Sequence, residues 1–367
     1  MNDKDLPVRP ILSILRLSMR VLFLTLYPET AASPRYRVAQ YLPYLRAHGI
    51  EYTVASAVSE GVYAKFTGPG RKARPLWYHA FETPRRLAQI LGGRRYDIVF
   101  VQKALMSAYL KGTLALLRRC AKRVIVDVDD AVHSQPPHPL RSRWKWIEDR
   151  EQVNRLFAAS DLVLAGNDWL ADEARKTGCR VETLPTVIDT ERFTPSENGA
   201  VPFRIGWIGG SSTTRSLEAV VSVLNGLRDA ETDLVGADRA QLSMNGLSVR
   251  EWTLDSEVQD IQGFSVGIMP LPKTEWSKGK CALKAIQYMA CGVPCVATPF
   301  GAVRDIIRDG ENGLFADTEA EWRDAFERLR DPELRKKLGE AGRATVQERY
   351  SLDATAPRFV ELLESVL

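Results

Sequence analysis

Apolar positions along this chain switch repeatedly between two periods. Short continuous runs at residues 19–26, 52–56, 98–101, 124–127, 162–164 and 181–184 predict buried parallel strands. Between them a three-to-four spacing predicts helices over 37–48, 83–91, 105–119, 144–158 and 168–177. A polar stretch over 185–202, flanked by prolines, reads as a linker. The alternation then restarts, with strands at 203–208, 233–235 and 265–269 and helices at 216–227 and 257–261. Residues 279–301 read as loop, helix, tight turn, strand and loop. Ala285, Ile286, Met289 and Ala290 give that helix an apolar face, and Gly292 stands where its C-terminus needs a positive φ. Pro294 forbids continuation, and Val296 and Ala297 begin a strand. Amphipathic helices over 320–329, 332–349 and 354–366 close the chain.

Strand and helix alternating in this way predict parallel sheets covered on both faces, hence α/β architecture with two doubly wound, Rossmann-like domains. The expected division is a leader over 1–18, a first domain over 19–190, a linker over 191–202, a second domain over 203–350 and a terminal helix over 351–367. In such a pair the strand C-termini face a common cleft, where a ligand binds.

Composition narrows this reading only a little. The 367 residues suffice for two cores. Five cysteines without a CxxC pair or zinc spacing predict reduced thiols and a cytoplasmic setting. Arg16 and Arg20 interrupt the apolar N-terminal stretch, and Asp3 and Asp5 spoil a basic export signal, so no membrane span is expected there. Residues 1–199 hold 30 Lys+Arg against 21 Asp+Glu, and the remainder 20 against 25. The basic pairs of the first half, from Arg71-Lys72 to the 141–145 cluster, fit solvated helix faces. They also fit attraction to an anionic lipid surface or a phosphorylated acceptor. No aromatic-interleaved basic stripe marks a nucleic-acid binder.

The chemistry concentrates at strand ends. Lys278, Lys280 and Lys284 cluster at the start of the helix in 279–301. With the helix-start amides of Cys281, Ala282 and Leu283 they form a site suited to a diphosphate. Lys280 and Lys284, four apart, are expected on one helix face, prolonged by Gln287, whose amide suits a ribose hydroxyl. Gly209, Gly210, Ser211 and Ser212 follow the first strand of the second half. They fit either a plain tight turn or a loop holding phosphate oxygens, but match neither a dinucleotide fingerprint nor a Walker loop. In the first half Asp129, Asp130 and His133 lie at a strand's C-terminal edge. They fit acid/base work or capping of the next element. Ser33, Arg35 and Arg37 follow the first strand as an anion clamp for the acceptor, or as surface residues of a helix start.

Residues 279–301, together with Asp309-Gly-Glu-Asn-Gly-Leu-Phe315, Leu184-Pro-Thr-Val-Ile-Asp-Thr-Glu-Arg-Phe-Thr-Pro195, Asp161-Leu-Val163 and Asn167, resemble the family 4 retaining glycosyltransferases. The likeness covers most of 19–367 and is strongest in the second half. It implies a GT-B fold, a nucleotide-diphosphate sugar as donor, no required cofactor or metal, retention at the sugar carbon, and a last helix that crosses back to the first domain. It also implies a glycan or lipid-linked acceptor, a role in cell-surface glycan synthesis, and a cytoplasmic place at or near the inner face of the membrane. This chain departs from the family pattern of two glutamates eight positions apart. Gly279 and Gln287 occupy those places, as in a subgroup with a variant motif, leaving Glu275 as a nearby substitute carboxylate. The family's basic pair after the first strand of the second half is also missing, and Ser211, Ser212 and Arg215 stand there. Two other readings stay open: an epimerase or hydrolase of nucleotide sugars on the same fold, and a catalytically silent binding subunit.

Overall fold

The computed structural model describes residues 19–66, 75–134, 142–196, 202–227, 229–242 and 248–367. The expected leader over 1–18 and the basic residues Arg71, Lys72 and Arg141 lie outside them.

Two parallel six-stranded sheets organise the described residues. The first contains β1 (Arg20–Thr25), β2 (Glu51–Ser56), β3 (Ile98–Gln102), β4 (Arg123–Val128), β5 (Leu162–Ala165) and β6 (Val181–Thr183), in the order β2-β1-β3-β4-β5-β6. The second contains β7 (Arg204–Ile208), β8 (Glu231–Val235), β9 (Ser248–Arg250), β10 (Val266–Met269), β11 (Cys295–Ala297) and β12 (Leu314–Phe315), in the order β12-β11-β10-β7-β8-β9. Strand order reverses between β1 and β3, and between β7 and β10. Those are the points where doubly wound sheets open a crevice at their C-terminal edge.

The continuous apolar runs have a direct cause. In β1, Leu22 and Leu24 enter one core while Val21 and Phe23 enter another on the opposite face, so neither face tolerates polar residues. The second of these cores is completed by the terminal helix Leu352–Glu364. Its Phe359 lies 4.5 Å from Tyr41 and 5.8 Å from Phe100, ring centre to centre, so the last helix packs on the first sheet. Each half also lends a residue to the other's core: Cys281 joins the β1–β5 core, and Tyr36 joins the core around the helix Leu283–Ala290.

Several helices differ from the periodicity. The expected helix over 37–48 begins earlier, as Ala32–Arg37, breaks at Val38 and resumes as Leu42–Ala47. Pro43 near the start of the second piece suits a helix beginning, not a helix interior. The helix expected over 83–91 runs from Pro75 to Gly92 with Pro84 inside. Residues 105–109 are buried loop, and the helix forms only over Thr113–Cys120, after Gly112 at φ +85°. The expected helix over 144–158 splits into a 3-10 stretch Ser142–Ile147 and the helix Gln152–Ala159. Likewise 216–227 is a 3-10 run, Ser211–Ala219, followed by Val221–Asn225. Strand β9 and the short helix Glu275–Lys278 have no counterpart in the sequence reading.

Candidate active site

The crevice of the second sheet is built from the turn after β7 and the helix that follows β10. Gly209 is glycine for a packing reason. A Cβ there would meet the Trp207 ring at 2.5 Å and the Lys284 side chain at 2.8 Å. Its absence lets Lys284 run beside the turn, with Nζ 5.3 Å from the centre of the Trp207 ring. Lys284 forms no ion pair with any described carboxylate. Burial pushes its ammonium down to about 8, and the nearby charge of Lys280 adds to the shift. The site therefore holds a half-buried lysine destabilised in its charged form, which a bound anion would relieve.

Gly210 and Ser212 are exposed at the rim, and nothing approaches a Cβ built on Gly210. Ser211 is engaged: its hydroxyl donates to Asp238 at 3.0 Å and accepts from Gln241 at 2.9 Å. The three lysines separate. Lys278 pairs with the exposed Glu275 at 2.7 Å, three residues away on the same short helix. Lys280 does not share a helix face with Lys284, because it precedes the helix and Ala282 between them adopts φ +53°. Leu283, Lys284 and Ala285 open the helix, and their N–H groups precede its first bond, from Ile286 N–H to the Ala282 carbonyl at 3.3 Å. Cys281 contributes only its backbone to such a site. Its thiol packs against Gly166, donates to the Asp129 carbonyl at 3.4 Å, and is pushed up to about 12 by burial.

Across the cleft, the carboxylates expected at the end of β4 meet these lysines. Lys280 Nζ lies 2.5 Å from Asp130 Oδ1, and Lys103 Nζ lies 2.7 Å from Asp130 Oδ2 and 3.4 Å from Asp129 Oδ1. Burial alone would raise the Asp130 carboxyl, but the two ammonium groups outweigh it and bring it to about 2. Ser33 donates to the other Asp129 oxygen and accepts from Gln102 at 2.6 Å. Asp129 Oδ1 is buried and accepts no hydrogen bond among the described residues. Asn167 ties the halves together: its carbonyl caps its own helix at Leu170 N–H, while its amide donates to the Lys278 and Lys280 carbonyls at 3.1 and 3.2 Å. Gly279 lies against the Asp129–Ala131 turn so closely that a Cβ would stand 2.7 Å from the Ala131 nitrogen. A glycine at this position is thus what lets the two halves meet here.

Gln287 belongs to a second interdomain cluster. Its amide donates to Tyr36 Oη at 3.0 Å and to Glu257 Oε1 at 3.2 Å. Glu257, only 2 % exposed, also receives Arg35 at 3.0 Å, Arg192 at 3.2 Å and the Tyr36 hydroxyl at 3.2 Å. Arg35 stacks between Tyr36 and Trp252, about 5 Å from each ring, and its Nε and Nη1 make no hydrogen bond among the described residues.

Two expected placements need correction. Arg37 is no clamp at the cleft: it is buried, ion-paired with Asp127, and donates to the Leu184 carbonyl at 2.8 Å. His133 stands apart from the Asp129–Asp130 pair, packed on Trp169 and 4.0 Å from Glu173, where burial lowers its imidazole below the usual range. Sequence reasoning missed Lys103, although its position just past β3, at the crevice of the first sheet, is the available signal. It also assigned no role to Glu257, whose partners Arg35 and Tyr36 lie more than 220 residues away along the chain.

Comparisons with known proteins agree with this architecture. A model described as Glycosyltransferase Family 4 matches residues 36–192, and one described as Glycosyl transferases group 1 matches residues 204–331. The N-acetyl-alpha-D-glucosaminyl L-malate synthase of Bacillus anthracis is 30 % identical over 93 residues, 24 % of each chain. The D-inositol 3-phosphate glycosyltransferase of Corynebacterium jeikeium is 26 % identical over 246 residues. That alignment spans 56 % of this chain and 58 % of the relative, so both matches cover less than two thirds of those proteins. Sulfoquinovosyl transferase SQD2 of Arabidopsis thaliana is 24 % identical over 365 residues, 88 % of this chain and 68 % of that one. The same fold occurs in a sucrose-phosphate synthase from Thermosynechococcus elongatus, with a TM-score of 0.73, 15 % identity and coverage of 95 % and 99 %. It occurs also in Anabaena HepE in complex with UDP and glucose, with a TM-score of 0.67, 14 % identity and coverage of 95 % and 100 %. One family model thus matches each of the two sheets, Glycosyltransferase Family 4 the first and Glycosyl transferases group 1 the second.

Proposed function

We propose that the protein transfers a sugar from a nucleoside-diphosphate sugar to an acceptor hydroxyl, with retention at the sugar carbon and without a metal. The observation that carries this reading is Lys284, a half-buried ammonium without a carboxylate partner, set beside the Gly209–Gly210 turn at the crevice of the second sheet. Departure of a nucleoside diphosphate is limited by charge growing on its β-phosphate. A fixed ammonium and the helix-start N–H groups beside it would stabilise that charge in place of a cation. HepE, a neighbour of the same fold, is described with UDP and with UDP-glucose, which supports this ligand class.

The acceptor hydroxyl attacks from the face the diphosphate leaves, and the departing phosphate oxygen takes its proton. Asp129 then supplies the carboxylate that Gly279 cannot. Its Oδ1, 3.4 Å from Lys103 Nζ and accepting no hydrogen bond among the described residues, takes a sugar or acceptor hydroxyl and positions it. Lys280 is shared between Asp130 and the incoming phosphate, so donor binding competes with the contact between the two halves. The acceptor is a glycan or lipid-linked hydroxyl, and the setting is cytoplasmic synthesis of surface glycan.

The direct test is transfer of labelled sugar from a panel of nucleotide sugars to glycan and lipid acceptors, with and without EDTA. The reading requires turnover that needs an acceptor and survives EDTA. Turnover without acceptor would indicate a hydrolase or epimerase. Tight nucleotide binding without any turnover would indicate the silent subunit, which the missing carboxylate at Gly279 favours.

A further inference from the structure

The helix Pro75–Gly92 buries polar side chains and exposes apolar ones. Its buried face carries Tyr78, His79, Glu82 and Arg86 together with the core residue Ile90, and its exposed face carries Trp77, Ala80, Phe81, Pro84, Ala88 and Leu91, with Arg85 at its edge. The polar inner face has a clear task. Arg86 donates to the carbonyls of Thr25 and Ala55, and Arg85 and Gln89 donate to that of Ser56. Glu82 accepts from the backbone and hydroxyl of Ser107 and pairs with His79. The helix thereby caps the C-terminal ends of β1 and β2, whose carbonyls need donors.

The outer face has no such task. Trp77, Phe81 and Leu91 are 61 %, 50 % and 52 % exposed. Positions 77, 81, 84, 88 and 91 follow one stripe, about 21 Å long at 1.5 Å per residue. An apolar stripe of this length on a surface helix marks a binding face. Its chemistry fits a lipid surface. Bulky aromatics point outward, and the exposed Arg94 and Arg95 flank them just beyond the helix. The first half exposes further indole: Trp144 and Trp146 are 40 % and 69 % exposed. Their stretch is bonded to Lys111, close in sequence to the Ser107 that Glu82 holds. The first half is the basic half of the chain, which complements anionic headgroups. No described helix is long and apolar enough to cross a membrane, so the helix would lie on the surface.

We propose that the outer face of the helix Pro75–Gly92 docks the protein on an anionic bilayer through Trp77, Phe81 and Leu91, with Arg94 and Arg95 at the headgroups. The consequence rests on the transferase reading: the helix covers the acceptor half of the cleft, so docking brings a lipid-linked acceptor to it. The docking itself does not depend on that reading.

The test is co-sedimentation of the full chain with vesicles of phosphatidylglycerol and phosphatidylcholine, compared with phosphatidylcholine alone. The variants are W77S/F81S and R94E/R95E, with melting temperature and nucleoside-diphosphate binding as controls for folding. The expected result is binding to the anionic vesicles, weakened by salt and by R94E/R95E, and about tenfold or more weaker in W77S/F81S. Equal partitioning of wild type and W77S/F81S would overturn the proposal. So would failure of the wild type to bind vesicles while it still binds nucleotide, a result that leaves the transferase reading standing. A wild-type dimer lost in W77S/F81S, without vesicle binding, would assign the stripe to a protein contact and overturn it too.

Discussion

Lys284 is the residue on which the proposed donor site turns. Its ammonium sits near 8 in the folded chain against an ordinary 10.5, so the unfolded chain binds more protons between those values. This group's contribution to stability therefore rises with pH from about 8 to about 10.5, and below 8 its full cost is present. At about 1.4 kcal/mol per unit, that cost is on the order of 1–3 kcal/mol after allowing for partial exposure. K284M is expected to melt at higher temperature than wild type at pH 7, and the difference should shrink towards pH 10.5. A lower melting temperature for K284M across that range would contradict this placement. Asp129 predicts the opposite pattern. D129N should lower kcat about tenfold or more while leaving nucleoside-diphosphate affinity within about twofold, because in the proposed reaction its carboxylate positions the sugar or acceptor and not the diphosphate. The lysine cluster was legible in the sequence because three charges fall within seven residues. Which of the three stays without a carboxylate partner was not, since Asp130 and Glu275 decide that through folded contacts.

Two elements show where periodicity works and where it misleads. Strand β1 was legible because both its faces are buried from Val21 on, so Val21 to Leu24 are all apolar. The helix Pro75–Gly92 was caught only in its second half, because its first half buries Tyr78, His79 and Glu82 and exposes Trp77 and Phe81. A reading that assumes apolar residues point inward assigns those positions to the wrong side. The segment before the helix Leu283–Ala290 carries the sharper prediction. G279E should not place a carboxylate in the site, because a Cβ would stand 2.7 Å from the Ala131 backbone. Differential scanning fluorimetry should show a lower melting temperature, and turnover should fall. Higher turnover at unchanged melting temperature would mean that the halves separate more readily than their contacts suggest.

At the scale of the molecule, the two halves are joined by buried polar contacts as well as by the linker. Glu257 receives Arg35 and Tyr36 from the first half, Arg192 from the linker region and Gln287 from the second. Removing the carboxylate would leave Arg35 buried against an aromatic sandwich with no counter-ion. E257A is therefore expected to lose about 3–5 kcal/mol in denaturant unfolding and to show a larger radius of gyration in solution scattering. A stability within about 0.5 kcal/mol of wild type would show that the cluster does not hold the halves together. Two doubly wound units and the place of their cleft followed from the alternation of strand and helix. The pairing of Arg35 with Glu257, or of Lys103 with Asp130, did not, because no local pattern encodes which strand ends face one another.

The central claim is that the crevice beside Gly209 and Lys284 binds the diphosphate of a nucleotide sugar. Calorimetric titration of UDP, GDP, ADP, CDP and dTDP into wild type and K284A in the presence of EDTA tests it directly. The account predicts sub-millimolar binding of at least one of them to wild type, at least tenfold weaker binding to K284A, and proton uptake near pH 8 that the variant lacks. Absence of binding by every nucleoside diphosphate, or equal affinity in K284A, would contradict it.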